Sequence, residues 1–340
     1  MSNPVWRKRA LVVASGVAVG ALALAGCTPS APAPGESSAN ASAIIAEVNE
    51  LTSFNPNTSQ GNIDINSKIS YLTRSGFFYV SDSMEIVPDT SFGTMEKISD
   101  DPLTVEYKLN DDLVWSDGDP IDTDDLLLGQ AIASGHSDDY TLDPESGEVA
   151  GGTKYFDIAG STTGVDSTAV PVVSDDKKSL TLTYGTPFVD WNLVGLIDQP
   201  IHVVADKAGV TVEELVKAIT TAPAGDPAAP ATPNATIKAA ADFWNTGFDV
   251  TGLPDDPSLY LSSGPFVVDE WAPTQSVSLK LNDKYTGDLK PAYTQMVVRF
   301  IGDANAQVTA LQNGEVDVIN PQASAETLST LEAMSGVQVL

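Results

Sequence analysis

The chain has 340 residues, of which 42% are hydrophobic and 7% aromatic, a composition typical of a globular protein with a sizeable core. Its 46 Asp and Glu residues against 17 Lys and Arg give a net charge of −29, which argues against nucleic acid or an anionic membrane surface as a partner. One Cys and two His exclude a disulfide framework, a zinc-finger array and an iron–sulfur centre. At about 150 residues per domain, the length predicts about two domains.

Residues 1–26 have the pattern of a lipoprotein signal peptide. Three basic residues at 7–9 precede an uncharged apolar run at 10–25, which is shorter than the ~20 residues that span a bilayer. The run ends in a lipobox, LAGC, in which Cys27 is the residue that takes the lipid. Residues 27–42 are rich in Pro, Ser, Ala and Gly and predict a flexible tether. We therefore expect a lipid anchor at Cys27 on the extracytoplasmic face of the cell membrane, with a plain transmembrane anchor as the alternative.

Beyond the tether, the pattern is that of a mixed α/β protein. The apolar run 43–48 predicts a buried strand, and three stretches of alternating apolar and polar residues predict half-buried strands. The alternating apolar residues are Val105, Tyr107 and Leu109; Leu180, Leu182 and Tyr184; and Val277, Leu279 and Leu281. Val172 and Val173 predict a hairpin with the second stretch. The runs 200–204 and 337–340 also predict strands.

Helices are predicted where a capping residue precedes an apolar face. Asp122 or Thr123 caps a helix that continues through Ile132, and 212–219 fits a second helix. Asp303 caps a third helix over 304–313, and the following Gly314 is suited to a left-handed stop. The Ala- and Pro-rich segment 221–232 predicts a surface loop.

No catalytic or metal-binding motif is present. His136 and His202 lack a partner pattern such as H-E-x-x-H, so both are interpreted as structural or surface residues. The acidic stretch 117–125 lacks the Gly and Glu positions of an EF-hand loop, which favours a helix cap over a calcium site. Paired carboxylates of a glycosidase type cannot be singled out among the scattered acids. The sequence therefore predicts no catalytic residue, no metal and no cofactor.

Two segments, together with the lipobox, resemble the extracellular solute-binding proteins of family 5, the peptide- and nickel-type receptors of ABC importers. The segment 105–120 reads VEYKLNDDLVWSDGDP, an alternating strand followed by W-S-D-G-x-P, with Asn110 where the family usually has Arg or Lys. The second segment begins with SGPFVVDEW at 263–271 and continues through two strands to a helix and a GEVDV turn ending at residue 318. Order and spacing agree over roughly residues 43–340.

The resemblance implies an α/β, two-lobed, periplasmic-binding-protein-like fold of type II, in the large peptide-binder class, with a deep cleft. Residues 43–264 would form the first lobe, with an extra subdomain over about 75–175. Residues 265–340 would hold the hinge crossing and the start of an incomplete second lobe, since the family continues further and the chain is expected to be a fragment. The hinge would comprise Gly264, Pro265 and Phe266, and an ordinary strand-entry turn is the alternative.

The resemblance also places ligand contacts on the segment after the turn at 54–56. The matching residues are Gln60, Gly61, Asn62 and Ile63, and Tyr140 is a further candidate as a stacking wall. Gly61 would permit a close backbone approach, and the amides of Gln60 and Asn62 both donate and accept hydrogen bonds. A surface loop is the alternative for this segment.

These features predict the substrate-binding component of an ABC importer. It would capture oligopeptides or dipeptides outside the cell by lobe closure and deliver them to the transmembrane subunits of the permease. It would act as a monomer and perform no chemistry. A metal chelate or a saccharide is the alternative ligand, and a secreted hydrolase lipoprotein is the alternative class.

Overall fold

The computed structural model describes residues 41–160 and 162–339, so the predicted signal peptide, Cys27 and the tether to residue 40 lie outside the described residues. This part of the chain contains runs of strands separated by single helices or by a run of three helices. In order they are β1 Ser42–Glu47, α1 Asp64–Thr73, β2 Phe78–Val80, β3 Ile86–Pro88, β4 Gly93–Asp100, β5 Leu103–Leu109, α2 Thr123–Ser134, β6 Thr141–Leu142, β7 Val149–Gly151, β8 Val172–Val173, β9 Ser179–Thr183, α3 Ile201–Lys207, α4 Val212–Thr221, α5 Ala235–Thr246, β10 Phe266–Ala272, β11 Ser276–Leu281, β12 Gln295–Phe300, α6 Ala304–Gln312, β13 Val318–Ile319 and α7 Ala325–Glu332.

A five-stranded mixed sheet has the strand order β10-β11-β12-β1-β13. Strands β10 to β12 form an antiparallel meander, and β1 pairs in parallel with both β12 and β13. The crossover through α6 therefore passes over β1, and it buries Ala46 against Ala310 and Val316. Helix α1 contributes Ile65 and Ile69 to the larger core.

This sheet joins residues from both sides of the predicted lobe boundary at residue 264. Ile45 of β1 is opposite Val298 of β12 on one side and Val318 of β13 on the other. Paired strands share backbone hydrogen bonds, so they belong to one structural unit. The boundary at residue 264 and the extent of the first lobe stay predictions.

A second, antiparallel sheet has the order β4-β5-β9-β8, and α2 packs against its strand β9. Helices α3 and α4 contact α2, and α5 contacts α3 and α4. Along β5, Val105, Tyr107 and Leu109 are buried, as their alternation predicts. Helix α2 is buried on nearly every side, with Leu126, Leu127 and Leu128 all at most 1% exposed. One continuous hydrophobic core includes residues of both sheets.

Most elements predicted from local pattern are confirmed. Asp122 caps α2, since its side chain accepts a hydrogen bond from the backbone N–H of Asp124 at 2.7 Å. The side chain of Asp125 in turn accepts one from the backbone N–H of Asp122 at 3.2 Å. Asp303 caps α6 through the N–H of Ala306, and Gly314 then has φ +69°. The β8–β9 hairpin and helix α4 are also present where the sequence predicts them.

Two strand predictions are wrong. Residues 201–207 form helix α3, because the carboxylate of Asp125 accepts a hydrogen bond from the N–H of Ile201 at 3.0 Å and satisfies its first turn. Residues 337–339 have no strand pairing, and Leu340 is outside the described residues. No helix within 41–160 and 162–339 has the length and apolarity needed to cross a membrane.

Candidate functional site

The largest cavity described in the structure has a volume of about 740 Å³. It lies between the end of α1, the segment 74–79, the loop 195–199, the start of β10 and residues 289–291. Tyr71, Phe78 and Tyr79 are aromatic residues of the lining, and Phe77 and Phe266 border it with side chains that are only 2% and 3% exposed. This volume lies within the ~300–1,000 Å³ of small-molecule sites, which are mostly apolar with a few placed polar groups.

Close packing of two backbone segments builds one wall of the cavity. The N–H of Gly264 donates to the carbonyl oxygen of Thr73 at 2.9 Å, and a Cβ at Gly264 would lie 2.7 Å from the backbone nitrogen of Arg74. Only glycine fits at that separation. The contact holds the start of β10 against the end of α1, so that Pro265 and Phe266 line the cavity beside Arg74.

Arg74 is a fixed cation in this wall. Its guanidinium donates to the carbonyl oxygen of Leu261 at 2.9 Å and to Oε1 of Gln199 at 2.6 Å. It also lies over the ring of Trp115, 5.1 Å from the centroid, a cation–π arrangement. Burial lowers the pKa of Arg74 to about 10, while the charge of Asp198 opposes that shift. Arg74 therefore stays charged at neutral pH and ties three segments together.

Asp198 is a carboxylate held by neutral donors. Its Oδ1 accepts from Nε1 of Trp244 and from the N–H of Gln199, both at 2.7 Å, and its Oδ2 accepts from Nδ2 of Asn57 at 2.8 Å. Burial raises the pKa of Asp198, and the three donors and the charge of Arg74 act against this rise. Within the part of the chain that the structure describes, no basic side chain forms an ion pair with Asp198.

A second pair of charges lies elsewhere on the lining. Asp89 is buried and accepts from the N–H and the hydroxyl of Ser91 through Oδ1, at 3.0 and 2.5 Å. Nζ of Lys290 donates to the carbonyl oxygen of Gly287 at 2.5 Å. The lining thus combines aromatic rings with both signs of charge, an arrangement that fits a ligand carrying polar groups of both signs on an apolar body.

The residues predicted from the sequence are only partly brought together here. Pro265 and Phe266 line the cavity, and Gly264 lies buried behind them. Gln60, Gly61, Asn62 and Ile63 form the turn ahead of α1, and they are not part of the lining. A Cβ at Gly61 would lie 2.0 Å from the carbonyl oxygen of Asn55, so this glycine closes the turn. Tyr140 precedes β6, also away from the lining. The roles of these five residues in ligand contact stay predictions.

Sequence reasoning missed both Arg74 and Asp198. Neither residue belongs to a recognisable motif, and the partners that define their geometry are distant in sequence. The signal that could have found Asp198 is an acid directly after the apolar run 193–197. A charged residue there requires dedicated hydrogen-bond partners if it is to be buried.

One cluster outside the cavity has the donors of a cation site. Nε2 of His202 lies 3.0 Å from Oδ2 of Asp117 and 3.6 Å from Oδ2 of Asp119. One ligand atom from each of the three residues lies within 4.8 Å of the others, a mixed nitrogen and oxygen set that divalent metals accept. Both carboxylates are exposed, and the same geometry serves as a surface ion pair when His202 is protonated.

Comparison with known proteins gives a match over most of the chain. The family model described as "Bacterial extracellular solute-binding proteins, family 5 Middle" matches residues 90–339. An uncharacterized lipoprotein of Mycobacterium leprae is 29% identical over 307 residues, which cover 89% of this chain and 48% of that protein. The oligopeptide-binding protein OppA of Bacillus subtilis is 23% identical over 260 residues, covering 74% and 39%. The chain thus spans about half the length of the curated relatives it matches.

Solved structures show the same fold. The periplasmic EDTA-binding protein EppA has a TM-score of 0.64 and 24% identity, with 86% of this chain and 46% of that chain covered. AppA from Bacillus subtilis, in complex with a nonapeptide, has a TM-score of 0.58 and 17% identity, with 87% and 46% covered. NikZ from Campylobacter jejuni, in complex with Ni(L-His), has a TM-score of 0.54 and 16% identity, with 86% and 45% covered.

Proposed function

Because the chain belongs to the family 5 extracellular solute-binding proteins, we propose that it captures peptides outside the cell for an ABC importer. The observation that carries this proposal is the 740 Å³ cavity, whose aromatic lining holds charges of both signs. A peptide has an apolar or mixed body with an ammonium and a carboxylate at its ends. The relatives that are named or solved as peptide binders support the same ligand class.

A metal chelate is the second candidate, and the likeness to an EDTA-binding protein favours it. The lining holds the carboxylates of Asp198 and Asp89 together with the cations Arg74 and Lys290, so a chelate would meet both signs of charge there. Peptides stay the first candidate because one relative and one solved structure are named as oligopeptide binders.

In this proposal the protein acts by binding alone. A ligand that contacts two lobes at once stabilises the closed arrangement by its differential affinity for that state. The closed form would then be presented to the transmembrane subunits of the permease. Lipidation at Cys27 would keep the monomeric protein at the membrane, which agrees with the names of its mycobacterial relatives.

Thermal unfolding of the chain with defined ligands tests the proposal. Tripeptides to pentapeptides, metal–EDTA complexes and oligosaccharides are added separately, and a ligand at 100 times its Kd raises the stability by about 2.7 kcal/mol. We expect peptides to raise the Tm and to be recovered intact by chromatography. Stabilisation by chelates or saccharides alone would refute the peptide assignment, and peptide cleavage would refute the assignment as a binding protein.

A cavity-filling variant shows whether the ligand occupies this site. Gly76 belongs to the lining, and a Cβ built there meets nothing within 4 Å, so Gly76→Trp adds a large side chain without an initial clash. Gly160 is equally open and lies outside the lining, which makes Gly160→Trp the matched control. Peptide stabilisation should disappear only in Gly76→Trp. Equal stabilisation of both variants would show that the ligand binds elsewhere.

A further inference from the structure

We propose that Asp117, Asp119 and His202 together bind one divalent transition-metal ion, such as zinc. The site is separate from the 740 Å³ cavity, because none of the three residues belongs to the lining of that cavity. A metal held there would join the loop after β5 to helix α3. It would therefore act on the stability of the fold, whichever ligand the cavity takes.

The three ligand atoms come together from two distant segments of the chain. His202 is 85 positions after Asp117, and its Nε2 lies 3.0 Å from Oδ2 of Asp117 and 3.6 Å from Oδ2 of Asp119. Ligand atoms about 2.0–2.2 Å from a tetrahedral metal lie roughly 3.3–3.6 Å from one another. The observed separations are close to this range, so small rotations of the side chains are enough to place all three atoms around one ion.

Hydrogen bonds orient the carboxylate of Asp117 and hold its loop in place. Oδ1 of Asp117 accepts from the backbone N–H of Asp119 at 3.1 Å, and Oδ2 is the oxygen that lies against His202. The N–H of Ser116 donates to the carbonyl oxygen of Ser262 at 2.8 Å, and the N–H of Ser262 donates to the hydroxyl of Ser116 at 3.0 Å. Metal ligands whose orientation is set by such partners bind more tightly than free side chains.

Helix α3 positions the imidazole from the other side. The carboxylate of Asp125 accepts from the backbone N–H of Ile201 at 3.0 Å, which fixes the residue directly before His202. The side chain of His202 is only 23% exposed, so the ring has little freedom to turn away from Asp117. A neutral imidazole is the commonest protein ligand of metal ions.

The charge of the cluster matches a divalent cation. Asp117 and Asp119 carry two negative charges, and across 41–160 and 162–339 the only basic side chain that pairs with either is His202. The cap of α2 uses Asp122 and Asp125, so the first two acids take no part in it. An imidazole beside two carboxylates favours zinc, cobalt or nickel over calcium, which takes oxygen ligands.

Isothermal titration of the full chain with zinc chloride tests the site. Residues that only orient a ligand already cost tenfold to a hundredfold in affinity, so we expect His202→Ala and Asp119→Asn to weaken zinc binding by at least about a hundredfold. The matched controls are His136→Ala, at the other histidine, and Asp112→Asn, at an exposed acid of the same loop. Both controls should keep the wild-type affinity. Equal affinity of all four variants would overturn the inference, because zinc would then bind elsewhere, for example at Cys27.

NMR of the wild-type protein covers the case in which His202→Ala fails to fold. The chain has two histidines, so a long-range ¹H–¹⁵N spectrum contains the signals of two imidazoles. One equivalent of zinc should shift the Nε2 signal of a single imidazole, and this imidazole should be the one that remains in His136→Ala. A spectrum in which zinc shifts neither imidazole, or shifts that of His136, would overturn the inference.

Thermal unfolding separates this site from the cavity and tests the choice of metal. Zinc should raise the Tm of the wild-type chain and leave that of His202→Ala unchanged, while calcium at the same concentration should raise neither. Stabilisation by calcium and not by zinc would refute a transition-metal site. His202→Ala should keep the wild-type response to peptides, since His202 is outside the lining. Loss of the peptide response in that variant would contradict the separation of the two sites.

Discussion

Folding stability should fall between pH 5 and pH 8 because of one buried acid, Asp125. This residue is 2% exposed, and its two oxygens accept from the N–H groups of Ile201 and Asp122 at the starts of two helices. Burial raises the pKa of Asp125 to about 7 from 3.8, against the effect of these hydrogen bonds. The variant Asp125→Asn removes this titrating group.

The direction of this pH dependence follows from which state, folded or unfolded, releases the proton of Asp125 at the lower pH. The unfolded chain loses the proton of Asp125 near pH 3.8, whereas the folded protein keeps it to about pH 7. Between these values the folded state binds more protons, so each rise in pH favours unfolding. The stabilising contribution is complete below pH 3.8 and is lost by about pH 7. Since one pKa unit corresponds to about 1.36 kcal/mol, the whole shift amounts to about 4 kcal/mol, of which about 2–3 kcal/mol falls between pH 5 and pH 8.

Urea denaturation at pH 5, 6, 7 and 8 measures this effect. The free energy of unfolding of the wild-type chain, minus that of Asp125→Asn at the same pH, cancels the titration of other groups such as Asp138. We expect this difference to fall by about 2–3 kcal/mol from pH 5 to pH 8. A difference that is constant or rises with pH would refute the assignment of a raised pKa to Asp125, whatever the absolute stability of the variant.

Three stability predictions follow from packing and capping. Gly264→Ala should lower the free energy of unfolding by about 1–3 kcal/mol, because its Cβ would lie within 2.8 Å of the backbone of Arg74. Gly76→Ala, whose Cβ meets no atom within 4 Å, should change it by less than about 0.5 kcal/mol. Equal urea denaturation midpoints of the two variants would contradict the steric reason. Leu127→Ala should cost about 2–5 kcal/mol in urea denaturation, because Leu127 is 1% exposed in the core, and a loss below about 1 kcal/mol would refute this packing. Asp122→Ala should cost about 1 kcal/mol through the lost cap of α2, and an unchanged thermal midpoint would show that the cap is not needed.

Elements with local signals could be predicted from the sequence. Helix α6 has its capping residue, Asp303, and its left-handed stop, Gly314, within eleven positions of one another. Strand β5 buries alternate residues along a single run. In both cases the residues that determine the structure are close together in the chain. The spacing of the apolar residues and the type of the capping residues are therefore enough to predict the element.

Helix α3 could not be predicted in this way. Its residues Ile201, Val203 and Val204 have the branched side chains typical of a strand, and the residue that satisfies its first turn, Asp125, is 76 positions earlier. Asp198 presents the same difficulty, since Asn57 is 141 positions away and Trp244 is 46 positions away. Contacts of this kind depend on the tertiary fold, and no local pattern encodes them.

The hydrogen bonds around Gly264 favour a packing role over a flexing one. Rotation at this residue would break the bonds that the N–H groups of Ser263 and Gly264 make to the carbonyl oxygen of Thr73, at 3.1 and 2.9 Å. It would also move Pro265 and Phe266, which belong to the lining of the cavity. The strands that follow are held to β1 by continuous pairing. The cavity wall is therefore preorganised, and a ligand that binds there does not need to order these segments, which lowers the entropic cost of binding.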